Sequence, residues 1–387
     1  MKEHYFFSQP HQPFFVLAFI NAIITMLIFM LGYKGILTLT LLPSSFHAYS
    51  LIFLLFTPAF LAFIFTTFPR FSSTPAIEKS VYLKVFGLFA AGTLLFIVGA
   101  LTNTMLYKLG MIILFIAHFW AIKILYNIFN DSQMEDKHDI FWILSAMFFG
   151  LVSHLLFIVG ESLWLPLQSF AIQTGIYLYL FLLAFSVAQR MVPFFSHCMV
   201  EKNMGLLKTV ALLLTLHVIL ETIHPHLSFI ADLALVYITG KELFRWNLPF
   251  PNPNPLLWIL HLALYWIPVA FLFGAMSNLT ALINGTPFLF LDIHILMLGF
   301  VFTILIGFGT RVTIGHSGNM MQAGMWEKVL FNWTQVVVVM RLFVSMAVAW
   351  NWNFMVLFDI SVTVWLLMFI LWGVRFFSVL INGKKLN

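Results

Sequence analysis

The sequence has very little charge for its length. Only 9% of its 387 residues are Asp, Glu, Lys or Arg, whereas 62% are hydrophobic. Soluble domains contain about 25% charged and about 45–50% apolar residues. This chain therefore has too few polar side chains to cover a water-exposed surface. The composition excludes a soluble globule and predicts an integral membrane protein.

Cysteine is nearly absent, since Cys198 is the single copy. One cysteine excludes an internal disulfide, a cysteine-rich zinc or iron–sulfur site, and the C-x-x-C-H motif that attaches c-type haem. The H-E-x-x-H, P-loop and G-x-S-x-G motifs are also missing, which removes the common hydrolase and ATPase classes. Any metal bound by this protein must be held by His, Met, Tyr or carboxylate side chains.

Long apolar runs dominate the chain. A helix needs about 20 such residues to cross the roughly 30 Å hydrocarbon layer, and twelve runs reach that length, near 14–32, 46–68, 81–101, 104–129, 141–160, 166–189, 206–223, 227–245, 257–276, 289–310, 329–350 and 353–376. The first run has no small-residue cleavage pattern behind it, so we expect a retained helix. We predict an all-α integral membrane protein of about twelve transmembrane helices, with 1–387 as a single polytopic membrane domain.

The distribution of positive charge indicates the orientation, because Lys and Arg are retained on the cytoplasmic side of a membrane. All 19 Lys and Arg residues except Lys34, Lys108 and Arg341 lie at the termini or beside the even-numbered connections. We therefore expect both termini to be cytoplasmic. Topology explains the net charge of +5, which gives no reason to expect nucleic acid as a partner.

Polar residues gather in the half of the membrane that is predicted to be extracytoplasmic. A buried imidazole in a bilayer needs a partner or a ligand, and the chain has 13 His residues. His217, Glu221 and His224 are spaced to share one helical face, as are His154 and Glu161. Such groups can bind a metal, carry protons, or satisfy their own hydrogen bonds across helices. The spacing favours the last of these and leaves the other two open.

A second polar group is expected at the cytoplasmic ends of the helices. Arg190 ends the sixth run, His261 begins the ninth, and Arg311 and His316 end the tenth. Two His side chains from different helices commonly hold a b-type haem, and arginines neutralise its propionates. From spacing alone, the plainer alternative is favoured, in which the arginines are topology anchors and His316 is a loop residue.

Several segments carry a more specific pattern. The segment HILMLGFVFTILIGFGTRVTIGHSGN at 294–319 begins with a His and ends in a T-R-V-x-x-G-H-[ST]-G run. QPFF at 12–15, QRMVPFF at 189–195 and LWILHL at 257–262 accompany it. In this order they resemble the NnrS family, twelve-span bacterial inner-membrane proteins that contain haem and copper and are linked to nitric oxide.

The resemblance implies a haem protein of the bacterial inner membrane that acts in the nitric oxide or nitrosative stress response. It implies that nitric oxide is bound, or that nitric oxide or oxygen is turned over by a haem-dependent oxidoreductase. Separately from the resemblance, we expect a quinol as the electron donor, because a redox site embedded in a membrane needs a lipid-soluble donor. The outer-half groups above are then the natural proton suppliers. The expected haem or metal ligands are His47, His261, His294 and His316, with Arg190 and Arg311 in support.

One motif departs from the family pattern. The family's second helix commonly opens with W-H-A-H-E, where this chain has Phe46, His47, Ala48, Tyr49 and Ser50. The first His is kept, whereas the second His and the acid are replaced. Copper is therefore an open question for this chain.

Two other functions also fit the sequence. A proton-coupled secondary transporter would have a similar number of spans and mid-membrane carboxylates, and its coupling groups would be Asp232, Arg341 and Asp359. An assembly factor that handles haem or copper only transiently would bind less than one metal per chain.

Overall fold

The computed structural model describes residues 4–386, and this part of the chain forms helices and no strand. The twelve long helices are α1 (His11–Tyr33), α2 (Pro43–Phe71), α3 (Lys79–Thr102), α4 (Thr104–Asp131), α5 (His138–Ser162), α6 (Pro166–Phe195), α7 (Leu206–Ile223), α8 (Phe229–Trp246), α9 (Pro255–Asn284), α10 (Leu291–His316), α11 (Met325–Ala349) and α12 (Phe354–Asn382). A short 3₁₀ turn at Tyr5–Phe7 precedes α1.

The prediction of an all-α membrane protein is confirmed. Within residues 4–386, eleven helices are long and apolar enough to cross a bilayer. The exception is α8, whose 18 residues carry Asp232, Lys241, Glu242 and Arg245. Most of this charge lies near the end of α8, where Arg245 is paired with Glu242.

The chain divides into two compact units. The first unit contains the residues up to Gly175, together with Gly309–Met321 and the residues from Phe369 onward. The second unit contains Ile176–Phe308 and Gln322–Met368. The boundaries fall inside α6, α10 and α12, so each of these helices contributes to both units.

Three helices are more buried than the others. In α2, α6 and α10, 89%, 83% and 83% of the most apolar window is buried, against 61% or less in the other eight spans. Each of the three contains one π-helical segment, at Ser50–Phe56, Thr174–Phe181 and Leu296–Phe302 respectively. Such segments are rare and occur often at functional sites.

The π segments of α2 and α10 are built alike. The Thr57 hydroxyl donates to the carbonyl of Ile52, and the Thr303 hydroxyl donates to the carbonyl of Leu298. Each hydrogen bond is 2.8 Å long, and each acceptor lies five residues before the donor. The segments begin three residues after His47 and two residues after His294. Two of the predicted ligand residues therefore occupy similar places in two similarly constructed helices.

Glycines allow α3 and α4 to pack backbone against backbone. A Cβ atom added to Gly99 would lie 2.1 Å from the Tyr107 nitrogen, and one added to Gly110 would lie 2.5 Å from the Phe96 nitrogen. Contacts this short are impossible for any larger residue without a shift of backbone. Small residues serve this purpose in membrane helices because close approach increases van der Waals contact.

Candidate functional site

His316, at the end of α10, has a fixed ring in the first unit. Its Nδ1 lies 2.6 Å from Oε1 of Gln9, just before α1. A carbonyl oxygen can only accept, so Nδ1 carries the proton and the neutral ring keeps its lone pair on Nε2. Gln9 thereby selects the tautomer of His316.

His11, the first residue of α1, lies beside His316. The two ring centroids are 5.0 Å apart and the rings are tilted by 60°. His11 and Gln12 are each 1% exposed, and in the part of the chain that the structure describes neither Nδ1 of His11 nor Nε2 of Gln12 has a hydrogen-bond partner. Sequence reasoning missed His11 because it precedes the first apolar run and resembles a loop residue.

We call Gln9, His11, Gln12 and His316 together the His316 site. Positive charge lies close to its two imidazoles. The Arg70 guanidinium at the end of α2 is close enough to act electrostatically on both imidazoles. Arg311 lies five residues before His316 on α10 and is half-buried. The site therefore combines two imidazoles with a nearby guanidinium, that of Arg70.

His261, at the start of α9, belongs to the second unit and is fully buried. Its Nδ1 lies 2.9 Å from the carbonyl of Pro249, and its Nε2 lies 2.6 Å from the Ser196 hydroxyl. Nδ1 therefore donates and Nε2 accepts. Both nitrogens are satisfied by the protein itself, which is the ordinary state of a structural histidine.

His47 and His294 are half-buried near the starts of α2 and α10. The His47 ring is stacked on Phe29, with centroids 4.1 Å apart. His294 Nδ1 lies 2.7 Å from the carbonyl of Phe290 and 3.1 Å from Nη2 of Arg341. Arg190, at the end of α6, is half-buried as well.

His154 lies in a fully buried group of the first unit. Its Nε2 is 2.7 Å from the Tyr49 hydroxyl, and its Nδ1 is 3.4 Å from Nδ1 of His118. Phe53, from the π segment of α2, is stacked on the His154 ring at 3.9 Å. Tyr49 is the residue that replaces the second His of the family motif, so the altered motif faces two other histidines.

Glu161 has partners of its own. It accepts hydrogen bonds from the Tyr107 hydroxyl at 3.1 Å and from Nε2 of Gln168 at 2.7 Å. Gln168 in turn accepts from the Ser45 hydroxyl at 2.9 Å. His154 and Glu161 thus bond to different residues, although the two were predicted to share one face of α5.

His217, in α7, pairs with a residue that its spacing does not reveal. Its Nδ1 lies 2.7 Å from Oδ1 of Asp232 on α8, and both side chains are about 1% exposed. Glu221, one turn further along α7, accepts the backbone N–H of His226 at 3.0 Å. His224 lies beyond the end of α7 in an extended conformation and is exposed, so it does not share the helical face of His217.

Two further residues complete this second-unit cluster. The Tyr177 ring, from the π segment of α6, lies 3.9 Å from the His217 ring, and its hydroxyl is hydrogen-bonded to Asp292 on α10. Asp232 and Asp292 lie on different helices, α8 and α10, and the fold brings both close to Tyr177.

No three His, Cys, Asp or Glu side chains within residues 4–386 form a group that could hold a metal ion by themselves. A haem iron needs only one or two protein ligands. The His316 site offers such ligands, because it combines an available lone pair on Nε2 with a buried imidazole that has an unpartnered nitrogen.

These features define a multi-pass helical membrane protein with buried imidazoles on several helices. The NnrS family, described as NnrS protein, matches residues 5–384 of the chain. The chain belongs to the NnrS family, which confirms the resemblance of its motifs. No curated protein sequence matches it.

Proposed function

We propose that this protein binds haem in the bacterial inner membrane and acts on nitric oxide in the response to nitrosative stress. Membership of the NnrS family supports the connection with nitric oxide. The arrangement of Gln9, His11 and His316 is the observation that carries the haem assignment.

The donor set of the His316 site fits a haem iron. Histidine ligands usually donate their other ring N–H to an oxygen, which orients the ring and raises its basicity. His316 has this arrangement with Gln9. His316 would hold the haem, and the haem would supply an iron that can bind a diatomic molecule such as nitric oxide.

Hydrogen bonding separates the roles of the two imidazoles. The His316 ring is oriented by Gln9 and keeps its lone pair on Nε2, whereas Nδ1 of His11 is buried without a hydrogen-bond partner among the described residues. His316 would therefore hold the haem, and His11, whose ring centroid is 5.0 Å from that of His316, would hold a proton beside it.

The charges around the site suit the carboxylates of a haem. Arg70, which acts electrostatically on both imidazoles, would offset propionate charge, with Arg311 in support, a role in which the planar guanidinium is effective. The proposal does not need His47, His261 or His294 as ligands, and Arg190 is not part of it. If nitric oxide is reduced, we propose a quinol in the lipid phase as the electron donor.

The test compares two His→Ala variants in detergent-purified protein. His316→Ala is expected to lose most of the bound haem, as measured by Soret absorbance and iron per chain. His224→Ala, which removes an exposed imidazole, is the matched control and is expected to retain it. Equal haem content in both variants and in the unmodified protein contradicts the assignment of His316.

A further inference from the structure

We infer that His217, Asp232 and Asp292 of the second unit form a proton-binding site which exchanges its proton with the membrane surface through Glu221. This site is independent of the proposed haem function, because it uses none of the residues of the His316 site. Its ligand is a proton, and the alternative ligand is a metal cation.

The first observation is the convergence of two carboxylates on a glycine. A Cβ atom added to Gly274 of α9 would lie 3.2 Å from Cβ of Asp292 and 3.7 Å from Oδ2 of Asp232. The missing side chain of Gly274 therefore leaves room for two acidic residues, from α8 and α10, on the same side of α9.

The second observation is a pair of buried atoms without partners. His217 and Asp232 bond through Nδ1 and Oδ1, but Nε2 of His217 and Oδ2 of Asp232 are buried and have no hydrogen-bond partner among residues 4–386. Unsatisfied polar atoms are costly in a low-dielectric interior. Two of them on one ion pair indicate that the pair is built to exchange a proton.

The charges of the neighbouring groups require a bound proton. His217, Asp232 and Glu221 all act electrostatically on Asp292, and Tyr177 faces the cluster from α6. With His217 as an imidazolium, ionised Asp232 and Asp292 would still leave one uncompensated negative charge within the membrane. Groups coupled in this way share protons as a set.

The nearby groups on the remaining helices do not remove this excess. On α9, Asn278 is neutral and bonds to the Ser228 hydroxyl, to His226 and to the Asp232 side chain. On α11, Arg341 donates to the Leu289 carbonyl and to Ser345, and its Nη2 lies 3.1 Å from Nδ1 of His294. Within residues 4–386, Asp292 has no ion pair with a Lys or Arg residue.

Glu221 connects the cluster with the surface. It lies four residues after His217 on the same face of α7 and is half-buried. The adjacent His226 is half-buried too, and its backbone N–H bonds to Glu221. A proton can therefore pass between the surface and Asp232 over a short row of titratable side chains.

Infrared spectroscopy of the full-length protein in lipid vesicles tests the site. At about pH 7, the spectrum is expected to contain the carbonyl band of a protonated carboxyl group. This band should shift in D₂O because the proton exchanges. Asp232→Asn and Asp292→Asn should each reduce this band by about half or more, and Asp232→Glu should keep it.

Glu242 provides a control on the same helix. Its carboxylate is 2.5 Å from Nη2 of Arg245 and also accepts from Trp246, so it should be ionised and contribute nothing to the band. Glu242→Gln should leave the band unchanged. Circular dichroism melts verify that each variant is folded.

Three outcomes overturn the proposal. The first is the absence of a protonated carboxyl band in the unmodified protein. The second is a band in the Asp232→Asn and Asp292→Asn variants that is as strong as in the unmodified protein. The third is loss of the band when Na⁺ or Zn²⁺ is added at constant pH, which would make the site a cation site. Iron measured in the same samples separates this result from the haem proposal, since the band is expected with or without iron.

Discussion

The Nδ1 atom of His316 lies 2.6 Å from the Oε1 atom of Gln9, although 307 positions separate the two residues. The contact joins the end of α10 to the start of α1 within the first unit. It fixes both the orientation and the tautomer of the imidazole, which are the two properties that an axial ligand needs from its surroundings.

Gln9→Leu is expected to weaken haem binding because the Nδ1–H of His316 loses its acceptor. Removal of a hydrogen-bond partner of this kind typically lowers the affinity about 10- to 100-fold. Haem titration followed by Soret absorbance measures the change in haem affinity. Gln9→Glu keeps an acceptor and should restore binding, with a lower reduction potential because an anionic acceptor makes the imidazole more basic.

Gln133→Leu, in the exposed connection after α4, is the control for that change and should have no effect. An unchanged haem affinity and reduction potential in Gln9→Leu would show that Gln9 plays no part in ligand positioning.

Tyr49→His is expected to create a copper site or a zinc site in the first unit. Tyr49 bonds to His154, which lies 3.4 Å from His118 through their Nδ1 atoms, so the substitution brings three imidazoles together. Three His ligands suit both metals. Metal per chain, measured by mass spectrometry of purified protein, should rise above that of the unmodified protein.

Tyr33→His, at an exposed position near the end of α1, is the matched control and should not raise the metal content. If Tyr49→His binds no more metal than this control, the buried group is only a hydrogen-bonded part of the core.

Gly110→Ala is expected to destabilise the protein. The new Cβ would lie 2.5 Å from the Phe96 backbone nitrogen, so α3 and α4 must move apart, at a cost of about 1–3 kcal/mol. Gly87→Ala has no atom within 4 Å of the added Cβ and should be neutral or slightly stabilising, since Ala is the better helix former. Thermal unfolding in detergent, followed by circular dichroism, should therefore separate the two variants; equal melting temperatures would contradict the close packing.

Reporter fusions test the predicted orientation. A fluorescent protein fused to the C terminus should fluoresce, because the excess of Lys and Arg predicts a cytoplasmic terminus. Alkaline phosphatase inserted after Gly285, between α9 and α10, should be active because that connection is predicted to be extracytoplasmic. The reverse pattern would invert the topology.

The helices could be predicted from the sequence because a bilayer demands about 20 apolar residues per span. The predicted run 206–223 coincides with α7 (Leu206–Ile223). The start of α1 was harder, because His11 and Gln12 are polar and yet buried. Hydropathy cannot show that a polar residue at a helix end is covered by other parts of the chain.

The partners of the polar residues could be predicted only in part. The i, i+4 spacing correctly places His217 and Glu221 along one face of α7, but a pattern within one helix contains no information about Asp232 on the next helix. His224 failed to follow the spacing because α7 ends one residue earlier, at Ile223. His316 lies beside His11 of α1. No pattern within α10 could indicate this neighbour, because it comes from the other end of the chain.

The most direct test of the haem and nitric oxide function is an absorbance spectrum of the purified protein. It is recorded in the oxidised state, in the reduced state and in the reduced state with nitric oxide, with iron and copper measured on the same sample. The account predicts a Soret band with about one iron or more per chain and a shift of that band when nitric oxide is added. A colourless, metal-free protein would contradict it and would favour a transporter.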